Sequence, residues 1–501
     1  MWFQDKAFLD HVREWWQEEQ FEGSKMFCLV SKLKYVKEKI LKWNNLHFKN
    51  IFKEKIDIEE KIGKLNKEII SKGMNNDSFL LEKEYLLKHE EILAKEETFW
   101  RQKSREKWLL EGDRNTIFFH NSTLSNRNYT NIAKIKNSMG EQTENPNEIA
   151  DIFIKYFTNT LNNYDSSNRT SQEEMLKHIP KLITEEDNRF LNEPFTLQEV
   201  KTTLFSMNPD KSPGSDGFQA FFFQQCWDIL GEELWKALEA TRNGGSILTE
   251  INHTFLTLIP KKCECIMPGD FRPISVCNTV YKIFSKTLAN RIKRFIPKLI
   301  SEEQTGFVPG RSILDSISII QETIHSAIKN KEACMLLKLD IQKAYDKVDW
   351  RFLCKTLEAF GFSKQWVNII FRCISTPKIS ILINGTPEGF FNISRGIRHG
   401  DPISPFLFVI MEEAFGRAVK EAQLVGNIKG VKVTNEVENT THQQFADDTI
   451  LDGISNLQEA KHFQQILDTY SKASRQMINA KKSEIFFLNT AEEIEDQIFN
   501  N

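Results

Sequence analysis

Between residues 444 and 451 the chain reads Gln444-Phe445-Ala446-Asp447-Asp448-Thr449-Ile450-Leu451, two adjacent carboxylates framed by apolar flanks. Apolar runs on both sides predict two short strands joined in a hairpin, with the acidic pair at its tip. Adjacent carboxylates repel, so a fold that fixes them usually supplies a cation. Upstream, residues 335–341 read as a buried strand carrying a third carboxylate, Asp340. Strand periodicity places Lys338 and Asp340 on one face and Leu337, Leu339 and Ile341 on the other. An acidic side chain leaving a buried strand is costly unless it is paired or metal-bound. Three carboxylates on neighbouring strands form a donor set for two Mg²⁺ ions about 3.5–4 Å apart, the arrangement used for nucleotidyl transfer. An Asp-Asp pair alone is ordinary turn chemistry. The third carboxylate and the motifs between lift the reading above that.

The whole-chain charge decides little, because 66 Lys and Arg stand against 69 Asp and Glu. Its distribution says more: residues 23–110 hold 20 basic and 14 acidic side chains, residues 140–200 hold 5 and 12, and residues 257–311 hold 10 and 4. Basic surfaces lining a channel fit this alternation, as do plain solvated helix faces for 23–110. The eight cysteines show no zinc or disulfide spacing; Cys263 and Cys265 are the closest pair and lack partners nearby. Reduced thiols, a charged N-terminus and no apolar run long enough for a bilayer point to a soluble intracellular protein.

The length predicts roughly two to four domains. Residues 1–120 read as an arm of two or three long helices, with apolar positions at helical spacing (Leu29, Leu33, Val36, Ile40; then Ile51, Ile58, Ile62, Leu65, Ile69) and a break at 73–77. Aromatic and basic residues interleave over 99–108, which suits nucleic-acid stacking and a tryptophan packing stripe equally. Residues 121–194 read as a polar connector with short helices, one of them amphipathic over 146–161 and a flexible stretch over 162–170. From 195 to 501, strands at 254–260, 335–341, 379–384 and around Asp447 alternate with helices at 312–329 and 349–360. That alternation gives an α/β or α+β domain.

Three blocks in order, Leu337-Lys338-Leu339-Asp340-Ile341-Gln342-Lys343-Ala344-Tyr345-Asp346, Arg398-His399-Gly400-Asp401-Pro402-Ile403-Ser404-Pro405 and Phe445-Ala446-Asp447-Asp448, resemble reverse transcriptase motifs. The likeness is to the non-LTR (LINE-type) retrotransposon branch, particularly its plant members. Supporting blocks are 211–218 (Lys-Ser-Pro-Gly-Ser-Asp-Gly-Phe), 271–275 (Phe-Arg-Pro-Ile-Ser) and 304–311 (Gln-Thr-Gly-Phe-Val-Pro-Gly-Arg). The block at 108–116 is similar to the segment that follows the endonuclease in such polyproteins.

The resemblance implies an α+β right-hand polymerase, with fingers and palm over 195–501 behind the helical arm and a thumb missing. It implies an RNA-directed DNA polymerase acting on an RNA template, a DNA primer and dNTPs, with two Mg²⁺ ions that Mn²⁺ can replace. Asp340 and Asp447 would ligate both metals and Asp448 would contribute less directly; one metal activates the primer 3′-hydroxyl and the other holds the triphosphate. Lys261, Arg272, Ile341, Tyr345, His399 and Gly400 would contact the nucleotide. Tyr345 would leave no room for a 2′-hydroxyl, the alternative being a core aromatic beside a helix capped by Asp346 or Asp349. Pro213, Gly214, Asp216, Gly306, Gly310, Arg311 and Lys482 would touch template or primer; without the family, the loops among them are turns before helices.

The chain departs from the family at His399, where Gln is usual, and at Gln443, Gln444 and Asp452, where apolar residues are expected. A polar strand beside the acidic turn weakens packing and fits a decaying element copy. The competing reading is therefore a weak or inactive remnant that binds nucleic acid or protein. The resemblance favours the nucleus, with the cytoplasm as alternative, and leaves oligomeric state open.

Overall fold

The computed structural model describes residues 2–5, 7–47, 50–104, 116–162, 168–434 and 438–499. The block at 108–116, apart from Thr116, lies outside them, as do 105–108 of the aromatic and basic stretch and most of 162–170.

Three long helices follow a short one at Phe8–Glu18: α1 (Lys25–His47), α2 (Ile51–Lys72) and α3 (Asn76–Ser104). Asn50 caps α2 by accepting from the Phe52 and Lys53 amides, and Gly73, at φ 80°, ends it where a left-handed residue is needed. The hairpin of α2 and α3 closes over Ile51, Ile58 and Ile92, with Lys55 2.8 Å from Glu96. In contrast, α1 packs on the main body, where buried Lys32 lies 2.9 Å from Glu233.

The polar stretch at 121–194 behaves differently from a connector at α4 (Pro146–Leu161). Ile149, Phe153, Phe157 and Leu161 recur at helical spacing and are all buried. A helix with such a row must bury it, and here it packs on Leu256, Leu258, Phe271, Ile379 and Ile381. Those residues belong to a mixed sheet of β1 (Thr254–Pro260), β2 (Phe271–Val276), β4 (Lys378–Ile383) and β5 (Thr386–Asn392), in the order β2-β1-β4-β5 with β1 and β4 parallel. Between β2 and β4 run α5 (Thr279–Lys293), α6 (Ile313–Asn330), β3 (Cys334–Leu339) and α7 (Trp350–Phe360).

A second sheet is antiparallel throughout and reads β8-β3-β7-β6, where β6 is His442–Phe445, β7 is Asp448–Ile454 and β8 is Glu484–Leu488. Helices α8 (Ser404–Leu424) and α9 (Leu457–Ser474) belong to the same large core. Separate helical layers around antiparallel pairing make this an α+β fold.

One buried ion pair fixes the turn into α8. Arg398 donates to Asp401 (2.8 Å), Asn252 (2.5 Å), Thr254 (3.1 Å) and the Cys373 carbonyl (3.0 Å). Asp401 in turn accepts from Tyr281 (2.7 Å) and Ser285 on α5. The pair ties the first sheet, α5 and the 398–403 turn together with each partner hydrogen-bonded, the condition under which a buried pair is tolerated.

The polar strand β6 is buried, and only part of its polarity is answered. Gln444 accepts from the Thr305 amide (2.9 Å) and donates its own amide to the Glu303 carbonyl (2.8 Å), so the 303–305 segment covers this sheet edge. Gln443 Oε1, Gln444 Oε1, His442 Nε2 and Asp452 Oδ2 remain buried without partners. The expected packing weakness has this concrete form. Burial pushes the Asp452 carboxyl up to about 7. An unfolded Asp ionises near ~4, so between that pH and about 7 the folded state alone holds the proton. Stability therefore falls as pH rises through the window and levels off above it. Asp452→Asn removes this loss: urea unfolding should show the variant gaining on the parent from pH ~5 to ~8, by roughly 2–4 kcal/mol at the upper end. Parallel curves would remove Asp452 from the pH dependence.

Candidate active site

Register brings the three carboxylates to one end of the second sheet. Leu339 of β3 pairs with Thr449 of β7, so Asp340, the next residue, emerges beside Asp448 at the hairpin tip. Asp447 is half-buried and Asp448 exposed. Burial raises the Asp447 carboxyl, and the charges of Asp448 and Asp340 raise it further. No group of three or more acidic, His or Cys side chains among the described residues is close enough to cage a metal. The donors are nonetheless hard oxygens, and Mg²⁺ is typically bound by one or two carboxylates plus waters and phosphates. Asp340 and Asp447 fit a cation of that kind.

The tip is held by residues outside the acidic motif. Ala446 sits at φ 57°, a left-handed turn that costs a non-glycine residue free energy. Buried Gln304 clamps it: its Oε1 accepts from the Ala446 amide (2.9 Å) and the Gly306 amide (2.8 Å), and its Nε2 donates to the Ala446 carbonyl (3.2 Å). A Cβ on Gly306 would stand 2.3 Å from the Ala446 nitrogen, so only glycine admits this approach. On the other strand, Asn479 donates its side-chain amide to Asp340 Oδ2 (2.8 Å) and its backbone amide to the Asp340 carbonyl (2.8 Å). Asp340 donates its own amide to Ser483 (3.1 Å). Gln304 opens the 304–311 block, and Asn479 and Ser483 flank Lys482, yet sequence reading gave none of them a role, because a carboxamide clamp leaves no periodic or charged signature.

Around the tip the first sheet contributes cations. Burial lowers the Lys261 ammonium, with Lys482 and Arg272 adding to the effect and Asp346 opposing it. Lys261 also donates to the Gly269 carbonyl (2.9 Å). Lys343, pushed down to about 8 by burial, lies over the Tyr156 ring of α4 and donates to Thr160 (3.0 Å). Asp346 is buried beside these cations and is raised to about 6 by burial.

Tyr345 is sandwiched. Its ring stacks on His399 (centroids 4.5 Å apart, 26°) and on Phe408 of α8 (4.8 Å, 15°). Burial first, then Arg272 and Lys261, pushes the His399 imidazole down to about 4, so it is neutral at physiological pH. The His399 carbonyl accepts from the Ser275 amide (2.7 Å), and a Cβ on Gly400 would stand 2.8 Å from the Ser275 carbonyl oxygen. The 398–400 turn is thereby laid against β2, the strand that carries Arg272. Ile341 is half-buried and bridges to Ile478.

Other expected positions lie elsewhere. Gly214 sits against Asn278, beyond the end of β2 opposite Arg272, and a Cβ there would meet the Asn278 backbone at 2.5 Å. Asn278 accepts from Ser215 (3.2 Å) and the Asp216 amide (3.1 Å), which fixes the loop carrying Pro213, Gly214 and Asp216. Gly310 forms an exposed left-handed turn at φ 83°. Arg311 directs its guanidinium inward, onto the carbonyls of Ile300 (2.9 Å), Gln304 (2.7 Å) and Ser301. Those bonds hold the 300–304 turn rather than facing a phosphate. Lys482 is exposed.

Gln304→Ala should release the turn at Ala446. The expected outcome is a loss of about 1–3 kcal/mol in urea unfolding, from two buried amides and a carbonyl left unpaired, together with faster hydrogen exchange at the Ala446 and Gly306 amides. Unchanged exchange at those amides would deny Gln304 the clamping role.

The sequence has its counterpart among known proteins. Residues 259–496 match the family described as reverse transcriptase (RNA-dependent DNA polymerase). Over 494 residues, 96% of this chain and 36% of the relative, the chain is 27% identical to the transposon TX1 uncharacterized 149 kDa protein of Xenopus laevis. Over 256 residues, 51% of this chain and 23% of the relative, it is 26% identical to the Pol polyprotein from the type-2 retrotransposable element R2DM of Drosophila melanogaster. A shorter match, 43% identical over 68 residues, covers 14% of this chain and 56% of an uncharacterized mitochondrial protein of Arabidopsis thaliana. The chain thus spans about a third or less of those two long relatives. Residues 259–496 thus match the reverse transcriptase family, and nearly the whole chain is similar to a transposon protein.

Proposed function

We propose that this chain is the polymerase portion of a LINE-type element, extending a DNA primer on an RNA template with dNTPs. The observation that carries the reading is the placement of Asp340 beside the Asp447–Asp448 tip, with Tyr345 and Arg272 close enough to feel or act on the Asp447 charge. In this reading the antiparallel second sheet is the palm and the first sheet, with α4 against it, belongs to the fingers.

Asp340 and Asp447 would hold the divalent cations, Mg²⁺ or Mn²⁺, with Asp448 at the rim. Bound there, such ions supply Lewis acidity toward the attacking hydroxyl and the phosphates. The remaining roles belong to the protein. Arg272 and Lys261 would hold the triphosphate, a task that suits a guanidinium able to pair two oxygens. Tyr345, locked between two rings, would bar a 2′-hydroxyl. Neutral His399 would serve the nucleotide site through that stack. Gly400 keeps backbone at the site, and Ile341 packs beneath it. The loops at 213–216 and 306–310 and exposed Lys482 would face template and primer, whereas Arg311 would shape its loop from within. A second reading, a non-catalytic binding remnant, draws support from the unpaired polar atoms of β6 and β7.

The test is primer extension on a primed RNA with dNTPs and Mg²⁺ or Mn²⁺. Asp340→Asn and Asp447→Asn should each reduce incorporation by at least about a thousandfold while thermal stability is retained. Near-parental incorporation in either variant would remove that residue from the chemistry, and a folded parent with no incorporation at all would favour the binding remnant.

In an active parent, Tyr345→Ala should raise ribonucleotide use relative to deoxyribonucleotide by at least about tenfold, since a half-buried aromatic is replaced by open space. An unchanged preference would make Tyr345 a packing residue.

A further inference from the structure

The outer edge of β6 is covered at two points and open between them. At Gln444 it pairs with the 303–305 segment, and at Thr440 it exchanges backbone hydrogen bonds with Val431 (2.8 and 2.9 Å). Alternate residues of a strand turn their backbone groups to the same edge. Those of His442 therefore point outward too, and no described residue pairs with them there. A cavity of about 520 Å³ faces this opening, with Ile319 and Glu322 of α6 on one side and Lys420 of α8 on the other.

The polar atoms around this cavity call for hydrogen-bond donors. Gln443, which lines it, is only 6% exposed, and its Oε1 has no partner. Glu303 gives one carboxylate oxygen to Lys420 (2.9 Å) and keeps the other buried without a partner. The His442 carbonyl adds a third acceptor. Each buried acceptor left unpaired costs roughly 1–3 kcal/mol, so a ligand rich in donors is favoured here.

Charge narrows the choice. Four carboxylates line the cavity (Glu302, Glu303, Glu322 and Glu438) against the single ammonium of Lys420. Burial opposes it, yet Glu303, Glu438 and Glu302 together hold that ammonium above its ordinary range, so their charges converge on one place. Such a field repels a nucleic acid and attracts a cation. The cation is not a metal ion, because no three acidic, His or Cys side chains among the described residues stand close enough to hold one. A guanidinium fits better than an ammonium: it is more weakly hydrated and carries five donors in a fixed fork for several acceptors at once. Ile319 and Val433 supply an apolar wall for its methylene stem.

We propose that this cavity receives the guanidinium of an arginine presented by a basic protein segment, with Gln443, Glu303 and the His442 carbonyl accepting its hydrogen bonds and Glu302 and Glu322 drawing the segment to the mouth. Such a site is independent of the polymerase chemistry.

The experiment is calorimetric titration of the nuclease-treated 501-residue chain with the capped peptide Gly-Lys-Gly-Arg-Gly-Lys-Gly and with versions carrying Lys or citrulline in place of the Arg. The Arg peptide is expected to bind at least about tenfold more tightly than either, the loss that follows from unmaking one charged hydrogen bond. Glu302→Gln with Glu322→Gln, both exposed positions, should weaken the Arg and Lys peptides alike. Gln443→Leu should abolish the preference for Arg over Lys, while urea unfolding shows the variant at least as stable as the parent, because an unpaired buried acceptor has gone. No binding of the Arg peptide up to ~1 mM, equal binding of the Arg and Lys peptides, or a preference that survives Gln443→Leu would each overturn the proposal. Free arginine amide binding as tightly as the peptide would also overturn it, and would make the cavity a small-molecule site instead.

Discussion

Two carboxylates on neighbouring strands, with a third next in sequence, repel one another, and everything near the hairpin tip works against that repulsion. Register does the coarse placement: once Leu339 pairs with Thr449, Asp340 has nowhere to emerge except beside Asp448. The fine placement needs groups that do not share the charge. Gln304 holds the left-handed Ala446 turn through three hydrogen bonds, and Asn479 holds Asp340 from the opposite side. Neutral amides suit both tasks, since a cation there would neutralise the carboxylates permanently and leave no demand for an exchangeable ion.

The same economy governs the side of Tyr345 and His399. Tyr345 has two degrees of freedom to lose, and stacking on His399 and Phe408 removes them. An imidazole in place of the usual glutamine gives up a carboxamide but gains a flat surface against the tyrosine. Burial first, then Arg272 and Lys261, keeps that imidazole uncharged, so the stack remains neutral.

The elements legible in the sequence were those with a strong period or punctuation. Gly73 marks the end of α2, the Ile149–Phe153–Phe157 row marks α4, and the Asp-Asp turn with its apolar flanks marks β6 and β7. What packs on α4 was not legible, because an amphipathic row states that a partner exists without naming it. Arg311 misled for a related reason: an arginine beside glycine turns suggests a phosphate, yet backbone carbonyls of the 300–304 turn claim its donors first. The clamp by Gln304 left no trace at all beyond one amide in a motif, since hydrogen-bond partners distant in sequence follow from tertiary packing alone.

The distribution of charge sets how such a site is reached. A chain of formal net charge −3 repels polyanions weakly as a whole, while Lys261, Arg272 and Lys482 stand close enough for their charges to depress the first of them. A local positive field of this kind steers a polyanion to one opening and away from acidic faces. At physiological ionic strength, however, it fades over roughly 8 Å. On the proposed reading, steering would bring a strand to the rim and go no further. Contacts short enough to escape screening would then have to choose the nucleotide, and the rigid Tyr345 stack stands nearest that task, while Gly306 and Gly400 hold the backbone close beneath it. Their rigidity is purchased far from the chemistry, in the Arg398–Asp401 pair that anchors the 398–403 turn and in the Gln304 amide under the tip, so the accuracy of the site is a property of the packed fold beneath it.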